Sequence, residues 1–350
     1  MSSRLASRPV AKLWLSRAAM TELAEAGLTL GWFVAWLRAA GAARVETGWL
    51  EETLACPDAL AVSGWGVAVA ETSALMRVAL AHGRRVMARG ERGGAVRPHG
   101  ATPLELENPP REGWVYDTRD GGRCLLLPLG DIAYQRERWL RALNDGAPQA
   151  PLWVCLNDGE DGSAADAMPE GGLALEAGLV GRLEPPPEGV AWLNDGGYLP
   201  EEWLASKLAA RALKARFAES CTGGGMAERM SRLPGASAVL DCAWTTYSNE
   251  AKRRLLKVPA RLIARHGAVS REVAEAMARG GMDRECACVA ATGIAGPGGG
   301  SDDKPVGTVW IAAALPDGRI ESRLLRLAGS RAAIRRQTVN HAFALLGSML

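Results

Sequence analysis

The residues of this 350-residue chain best suited to chemistry lie in "AESCTGGG", residues 218–225, where Ser220, Cys221 and Thr222 precede three glycines. Residues 214–219 are predicted to form a strand, and a helix is predicted to follow the glycines. The two hydroxyls and the thiol therefore lie at a strand-to-helix turn. Backbone N–H groups are unpaired at a helix start, and the helix dipole is positive there. The turn is predicted to bind an anion and to present a nucleophile.

A hydroxyl nucleophile needs a base, and lysine is the residue that the sequence offers. The four histidines (82, 99, 266 and 341) are scattered, and only six of the 41 basic residues are lysine. Arginine stays protonated near neutral pH but a desolvated lysine can lose its proton, so a lysine inside a motif indicates lysine chemistry. Lys252 lies in the first turn of a short predicted helix that begins at Asn249. Burial and the positive helix end would both lower the pKa of Lys252.

Residue types and spacing leave two interpretations of this pair. In the first, Ser220 is a nucleophile, Lys252 takes its proton, and Tyr247 relays a proton or stabilises an oxyanion. In the second, Ser220 caps the following helix and Lys252 is a solvated surface lysine. Cys221 is a competing nucleophile, because a thiol at a helix start can be acidic. No histidine accompanies it, so Ser220 is the preferred candidate.

A glycine-rich loop supplies a second candidate region. The stretch "TGIAGPGGGSDDKPVG", residues 292–307, follows a predicted strand, and its backbone N–H groups could hold a phosphate. Lys304 is predicted to be either a phosphate ligand or an anchor for the loop. The spacing of Ser301 and Lys304 matches the Ser-x-x-Lys motif of β-lactamases. The preceding glycines and Pro305 oppose the helix that this motif needs, so we discount that interpretation.

The overall composition is that of a globular protein, with 48% hydrophobic and 23% charged residues. The net charge of +2 predicts no strong attraction to nucleic acid or anionic membranes. Seven cysteines without a Cys-x-x-Cys pair predict reduced thiols, and we expect neither a metal nor a cofactor. The longest uncharged run, residues 26–37, is too short to span a bilayer and predicts a buried helix. No continuous apolar core follows the basic N-terminus, so we expect no signal peptide and a cytoplasmic location.

Alternating helices and strands after residue 200 predict a three-layer α/β/α domain with a mixed sheet. The predicted strands are 214–219, 237–248, 286–294 and the two arms of a hairpin across "LPDG". The predicted helices are about 201–213, from the glycines to about 232, 249–256, 270–284 and 330–349. The N-terminal part is predicted to be a divergent α/β domain, with helices at about 18–40 and 66–90 and a hairpin turning at Asp120-Gly121-Gly122.

Six motifs over residues 205–350 resemble those of a known family. They are "AESCTGG", "LPGAS", "TTYSNEAK", "LIARHGAVS", "ATGIAGPGGGSDDKPVGTVW" and "GSRAAIRRQ". They occur in the order found in the C-terminal domain of the CinA family, which is a nicotinamide mononucleotide deamidase. By this resemblance, the positions that match the catalytic residues are Ser220, Tyr247, Lys252 and Thr292, and Arg331 matches a substrate-binding position. We further expect substrate contacts from residues of both loops, namely Thr222, Gly223, Gly224, Gly293, Gly296 and Lys304.

The chain is predicted to have three parts, residues 1–150, 151–200 and 201–350. Glycine, proline and acidic residues are frequent in 157–172 and 184–202, which predicts a connector. Residues 97–132 weakly resemble the molybdopterin-binding type of domain that precedes the deamidase domain in full-length family members. The glycine-rich loop with paired aspartates of that domain has no match here. We therefore expect a degenerate N-terminal domain without pyrophosphatase activity.

These observations predict an amidohydrolase that converts nicotinamide mononucleotide to nicotinic acid mononucleotide and ammonia, recycling pyridine nucleotides. The alternative is a non-catalytic accessory protein that binds nucleotides or partners in competence or DNA-damage responses. The first predicts ammonia release, and the second predicts binding without turnover. The expected partner is a small nucleotide substrate. Nucleic acid and membrane partners are not expected. A homo-oligomer is compatible with the sequence.

Overall fold

The protein folds as two compact units, Met1–Leu152 and Trp153–Leu350. In this computed structural model, the described residues are 9–25, 28–88, 96–105, 112–129, 136–144, 151–156, 173–176, 179–186 and 192–350. The predicted connector, 151–200, thus belongs to the same unit as residues 201–350, apart from its first two residues.

The first unit contains a six-stranded mixed sheet. Its strands and those of a separate pair are β1 Val10–Leu15, β2 Arg44–Trp49, β3 Trp65–Ala70, β4 Val86–Ala88, β5 Val96–Pro98, β6 Thr102–Glu105, β7 Glu112–Asp117 and β8 Arg123–Pro128. Its helices are α1 Arg17–Glu25, α2 Leu30–Ala39, α3 Leu50–Leu54, α4 Thr72–Ala81 and α5 Arg136–Asn144. The sheet order is β2-β1-β3-β8-β7-β6, and β4 pairs with β5. Strands β2, β1, β3 and β8 are parallel, and β7 and β6 are antiparallel to their neighbours.

The structure corrects two of the N-terminal expectations and confirms others. The helix predicted over 66–90 is wrong, because this stretch holds most of β3, all of α4 and then β4. Strand β3 is buried along its whole length, and periodicity cannot separate such an apolar run from a buried helix. The helix predicted over 18–40 is two helices, α1 and α2. The buried helix predicted within 26–37 is α2, and the predicted hairpin is the β7–β8 pair.

The second unit begins with a small antiparallel sheet where the sequence predicted a connector. Its strands are β9 Trp153–Leu156, β10 Leu173–Glu176, β11 Leu179–Arg182 and β12 Trp192–Asn194, in the order β10-β11-β9-β12. Each strand has only three or four residues, so the surrounding glycines, prolines and acids dominated the sequence pattern. The most acidic and glycine-rich part of that prediction, 157–172, lies outside the described residues.

The rest of the second unit is built on a five-stranded mixed sheet. Its strands are β13 Lys214–Glu219, β14 Leu240–Thr245, β15 Cys286–Gly293, β16 Thr308–Ala314 and β17 Ile320–Arg326. Its helices are α6 Pro200–Ala210, α7 Gly225–Ser231, α8 Asn249–Leu256, α9 Ala260–His266, α10 Arg271–Gly281 and α11 Arg331–Met349. The order is β14-β13-β15-β16-β17; β14, β13 and β15 are parallel, and β16 and β17 are antiparallel.

Helices cover both faces of this sheet, which confirms the predicted three-layer arrangement. On one face, Phe217 and Val289 pack in a core that includes Phe343 of α11 and residues of α6 and α7. On the other face, Ala290 packs in a second core with Met277 of α10. Successive residues of the central strand β15 thus enter opposite cores, because side chains alternate along a strand.

Helix α7, which follows the "SCTGGG" turn, is held by a buried ionic contact. Arg229 of α7 forms an ion pair with Glu201 of α6, and Nη1 of Arg229 donates to Oδ1 of Asn340 in α11 at 2.5 Å. Arg229 and Glu201 are both almost fully buried, so removing either charge would take away the compensating charge of this buried ion pair. The contact therefore ties the helix after the turn to α6 and α11. None of the described helices is both long and apolar enough to cross a membrane.

Candidate active site

The carboxyl ends of the parallel strands β13, β14 and β15 meet at one edge of the sheet, and this edge carries the candidate site. Ser220 follows β13 directly, and its backbone N–H donates to the carbonyl of Ala291 in β15 at 3.0 Å. Thr246 follows β14, and its backbone N–H donates to the carbonyl of Glu219 at 2.7 Å. These bonds extend the sheet by one residue, so Ser220 occupies a fixed position at the sheet edge.

Ser220 and Lys252 form a buried pair, as the first of the two sequence interpretations predicted. Nζ of Lys252 lies 3.0 Å from Oγ of Ser220, 2.8 Å from the carbonyl oxygen of Thr246 and 3.4 Å from that of Tyr247. Lys252 is 1% exposed, so the interpretation as a solvated surface lysine is wrong. Nζ donates to the Ser220 hydroxyl and to the two carbonyls, and a neutral amine in the same position can accept the Ser220 proton through its lone pair.

The electrostatics of the pair make Lys252 easier to deprotonate than a free lysine. Burial lowers the pKa of Lys252 from its ordinary value of 10.5, because the low-dielectric interior disfavours the ammonium form. Its acceptors are a hydroxyl and two carbonyls, and among the described residues no carboxylate forms an ion pair with it. The amine lies on α8, whose first turn is capped by Ser248, with Oγ accepting from the Ala251 N–H at 3.0 Å. A lysine of this kind can take a proton at a pH nearer neutrality than free lysine can.

Glu219 is a helix-capping residue that the sequence did not predict. It is fully buried, and its carboxylate accepts from the backbone N–H groups of Met226 at 3.1 Å and Ala227 at 3.0 Å. These N–H groups belong to the first turn of α7, so Glu219 caps this helix and Ser220 does not. An anion lies at this helix start, as predicted, but it is the protein's own Glu219 carboxylate, which occupies two of the N–H donors. The available signal was an acidic residue at the end of an otherwise apolar strand.

The thiol of Cys221 is unsuited to the nucleophilic role. Its side chain is buried, and burial raises its pKa to about 12. The thiol is therefore protonated near neutral pH, and the thiolate is the reactive form. This electrostatic environment supports the preference for Ser220.

The structure brings Tyr247 and Arg331 together beside the Ser220–Lys252 pair. The tyrosine side chain is exposed, and its hydroxyl oxygen accepts from Nη2 of Arg331 at 3.0 Å. Nη1 of Arg331 donates to the carbonyl of Gly296 at 2.7 Å. Only the backbone carbonyl of Tyr247 contacts Lys252. The proposed proton relay through the tyrosine hydroxyl is thus not formed in this structure, and the hydroxyl is instead presented next to a guanidinium.

The remaining predicted residues of the glycine-rich loop have mainly structural contacts. The buried hydroxyl of Thr292 donates to the carbonyl of Ala268 at 2.9 Å. Nζ of Lys304 donates to the carbonyls of His266 and Val269 at 3.0 and 2.8 Å. Of the two roles that the sequence left open for Lys304, these contacts correspond to the loop anchor. At Gly293, a Cβ would lie 2.6 Å from a methyl group of Val309, so close packing of β15 on β16 accounts for this glycine.

Three predicted substrate contacts lie in the turn after Ser220. Thr222 is fully buried, and its hydroxyl has no hydrogen-bond partner among the described residues. Gly223 is exposed and Gly224 is half-buried. Nε and Nη2 of Arg335 donate to the carbonyl of Thr222. Within the described part of the chain, no group of three or more His, Cys, Asp or Glu side chains is arranged to hold a metal ion.

The comparisons with known proteins point to one family. The family model for the CinA C-terminal domain matches residues 200–350. A CinA-like protein of Mycobacterium sp. (strain JLS) is 37% identical over 273 residues, which cover 72% of this chain and 64% of that protein. A CinA-like protein of Anaeromyxobacter sp. (strain K) is 48% identical over 147 residues, which cover 41% of this chain and 36% of that protein.

A solved structure is also similar in sequence. The crystal structure of the competence/damage inducible protein CihA from Agrobacterium tumefaciens has 39% identity and a TM-score of 0.40, and the match covers 42% of this chain and 92% of that one. The match to the Mycobacterium protein is longer than residues 200–350, so similarity to that relative extends into the region before residue 200. The matched part of the chain spans less than two thirds of the length of either curated relative.

Fold and site together define a three-layer α/β/α domain with a buried Ser–Lys pair at the carboxyl edge of its sheet. Residues 200–350 belong to the CinA C-terminal domain family, and the chain is similar to CinA-like proteins. The family resemblance expected from the six sequence motifs is thereby confirmed.

Proposed function

We propose that residues 200–350 form an amidase that hydrolyses the carboxamide of nicotinamide mononucleotide to nicotinic acid mononucleotide and ammonia. The observation that carries this proposal is the distance of 3.0 Å between Nζ of a fully buried lysine, Lys252, and Oγ of Ser220. A nucleophile needs a base within hydrogen-bond reach, with a pKa near the working pH. Burial lowers the pKa of Lys252, which is the direction that the second condition requires.

The proposed reaction has two steps. Lys252 takes the Ser220 hydroxyl proton as Oγ attacks the amide carbon, giving a tetrahedral intermediate with a negative oxygen. When the intermediate collapses, the ammonium of Lys252 returns the proton to the leaving nitrogen, so ammonia departs and an acyl-serine ester remains. In the second step Lys252 takes a proton from water, the hydroxide attacks the ester, and the acid product leaves with Ser220 reprotonated. This sequence balances protons with one base and needs no metal ligand set.

Arg331 and Tyr247 support a nucleotide substrate at the mouth of this site. Arg331 is exposed and donates to neutral acceptors, the Tyr247 hydroxyl and the Gly296 carbonyl. Among the described residues it forms no ion pair, so its positive charge is available to an anionic group of the substrate. The choice of nicotinamide mononucleotide rests on the family resemblance, and Arg331 is the residue proposed to meet the phosphate.

The test is an ammonia-release assay with nicotinamide mononucleotide on the purified full-length protein. Wild-type protein is expected to release ammonia, and Ser220→Ala to lose more than about 10³-fold in rate, as for other catalytic nucleophiles. Cys221→Ala is the matched neighbour and is expected to retain activity, because its thiol is protonated. An inactive Cys221→Ala beside an active Ser220→Ala would assign the chemistry to the thiol. Binding of the nucleotide without ammonia release would favour the accessory, non-catalytic alternative.

A further inference from the structure

The turn that carries Ser220 is tethered at three points. At its start, the Ser220 N–H bonds the carbonyl of Ala291 in β15. At its end, the Glu219 carboxylate bonds two N–H groups of α7. The third tether comes from Arg335 of α11, which reaches the middle of the turn. It joins residues 113 positions apart in the chain, so the last helix of the domain contacts the turn of the proposed nucleophile.

Two nitrogen atoms of the Arg335 guanidinium contact one carbonyl oxygen of the turn. Nε and Nη2 both donate to the carbonyl oxygen of Thr222, at 3.0 and 2.6 Å. The guanidinium is rigid and planar, and a charged donor strengthens a hydrogen bond to a neutral carbonyl. Among the described residues, Arg335 forms no ion pair with a carboxylate, and the Thr222 carbonyl is its only hydrogen-bond acceptor. The guanidinium therefore fixes the orientation of the Thr222 carbonyl, two residues after Ser220.

Gly223 is required for this approach. Its φ of +61° lies in the left-handed region that favours glycine. A Cβ at this position would lie 3.3 Å from Nη2 of Arg335, tighter than ordinary van der Waals contact. The glycine thus provides both the backbone conformation of the turn and the space for the guanidinium against it.

We propose that Arg335 is a positioning residue that sets the orientation of Ser220 toward Lys252, acting through the Thr222 carbonyl. The inference rests on the proposed function, since it takes Ser220 as the nucleophile. It gives Arg335 a role different from that of Arg331, one helical turn earlier, which faces Tyr247 and the substrate side. Arg335 is expected to affect the reactivity of Ser220 itself, and not only the affinity for a phosphate-bearing substrate.

The experiment compares wild type, Arg335→Lys, Arg335→Met and the exposed neighbour variant Arg336→Lys in the full-length chain. The probe is a fluorophosphonate that carries no nucleotide phosphate, and the readout is the rate at which Ser220 is labelled. Misplacing a reacting group by about 1 Å costs up to about 10²-fold, so labelling of both Arg335 variants should be about 10- to 100-fold slower. Arg336→Lys should label at the wild-type rate. Thermal unfolding of all four proteins shows whether any loss reflects misfolding.

A second measurement does not depend on chemistry at Ser220. Hydrogen exchange of the amides in 221–225 should be faster in both Arg335 variants than in wild type and Arg336→Lys. If labelling and exchange in a folded Arg335→Lys or Arg335→Met protein equal those of wild type, the positioning role is overturned. A rise in KM for the nucleotide, with unchanged labelling, would assign Arg335 to substrate binding instead. If wild-type Ser220 is not labelled while ammonia is released, the proposed nucleophile fails, and the Arg335 proposal fails with it.

Gly223→Ala provides an independent check through its coupling to Arg335. The added methyl group should displace the guanidinium and slow labelling of Ser220. If it acts through Arg335, the same substitution should cost less in the Arg335→Met background, because residues in contact have non-additive effects. Full additivity of the two substitutions would contradict the proposed link.

Discussion

The two units place a serine at the same point of two similar sheets. Ser16 follows β1, and Ser220 follows β13; each of these strands lies between two parallel neighbours. The Ser16 N–H donates to the carbonyl of Val69 in β3 at 3.0 Å, and the Ser220 N–H donates to that of Ala291 in β15 at the same distance. The backbone environments of the two serines are thus closely alike.

The side chains of the two serines have different hydrogen-bond partners. Oγ of Ser16 accepts from the N–H of Ala19 at 3.1 Å and so caps α1. Oγ of Ser220 contacts Lys252, and the Glu219 carboxylate caps the helix that follows. The residue before Ser16 is Leu15, which can offer no such carboxylate. In the second unit a buried acid before the serine caps the helix, and the serine hydroxyl contacts a lysine instead.

The largest loss of ammonia release is expected from Lys252→Arg, which keeps a positive charge but removes the titratable base. A positioned base contributes about 10²–10⁴-fold, so ammonia release should fall by that amount. The matched control is Lys214→Arg, since Lys214 is exposed at the opposite end of β13. Wild-type activity in Lys252→Arg would show that the lysine serves only as a charge.

The pH dependence of kcat/KM gives a second test of Lys252 as the base. Burial disfavours the ammonium form of Lys252, so its pKa lies below 10.5. The neutral, active form therefore gains population as pH rises through this lowered pKa. The kcat/KM profile should rise with an apparent pKa below 10.5, and this limb should be missing in the Lys252→Arg variant. A rising limb with the pKa of free lysine would contradict the proposed role of burial.

A smaller effect is expected from Glu219→Gln, which should make Ser220 more like Ser16. The glutamine amide group would oppose one of the two α7 N–H groups, and loss of a helix cap costs about 1 kcal/mol. The freed N–H groups would then compete with Lys252 for the Ser220 hydroxyl, so ammonia release should fall as well as the unfolding temperature. Glu228→Gln, which changes an exposed acid on the same helix, is the control for both measurements. Unchanged activity in a folded Glu219→Gln protein would refute the explanation of why the two serines differ.

The smallest effect on ammonia release is expected from Ser16→Ala. Removing the α1 cap should reduce the stability of the first unit by about 1 kcal/mol, measured by thermal or denaturant unfolding. Ammonia release should be unchanged, because the hydroxyl of Ser16 has a capping role only. A loss of activity without a loss of stability would indicate that Ser16 takes part in a reaction.

The sequence by itself determined the elements of residues 201–350 well. Ser248 and Ser270 cap α8 and α10, and β13, β15 and the β16–β17 hairpin lie where the sequence patterns indicated. These features depend on local hydrogen bonds and on side-chain periodicity, which neighbouring residues encode. The motif order was equally informative about the family. The pattern failed where burial on both faces removed the periodicity, as in β3.

Only the tertiary structure decided which groups meet at the site. The sequence left Lys252 as a base or a surface lysine and Ser220 as a nucleophile or a cap; packing of α8 against the sheet edge brings Nζ to within 3.0 Å of Oγ. The helix cap formed by Glu219 and the contact of Arg335 with the Thr222 carbonyl also depend on how strands and helices pack together. The physical reason is that pKa values and hydrogen-bond partners follow from burial and distance, which residues far apart in the chain determine jointly.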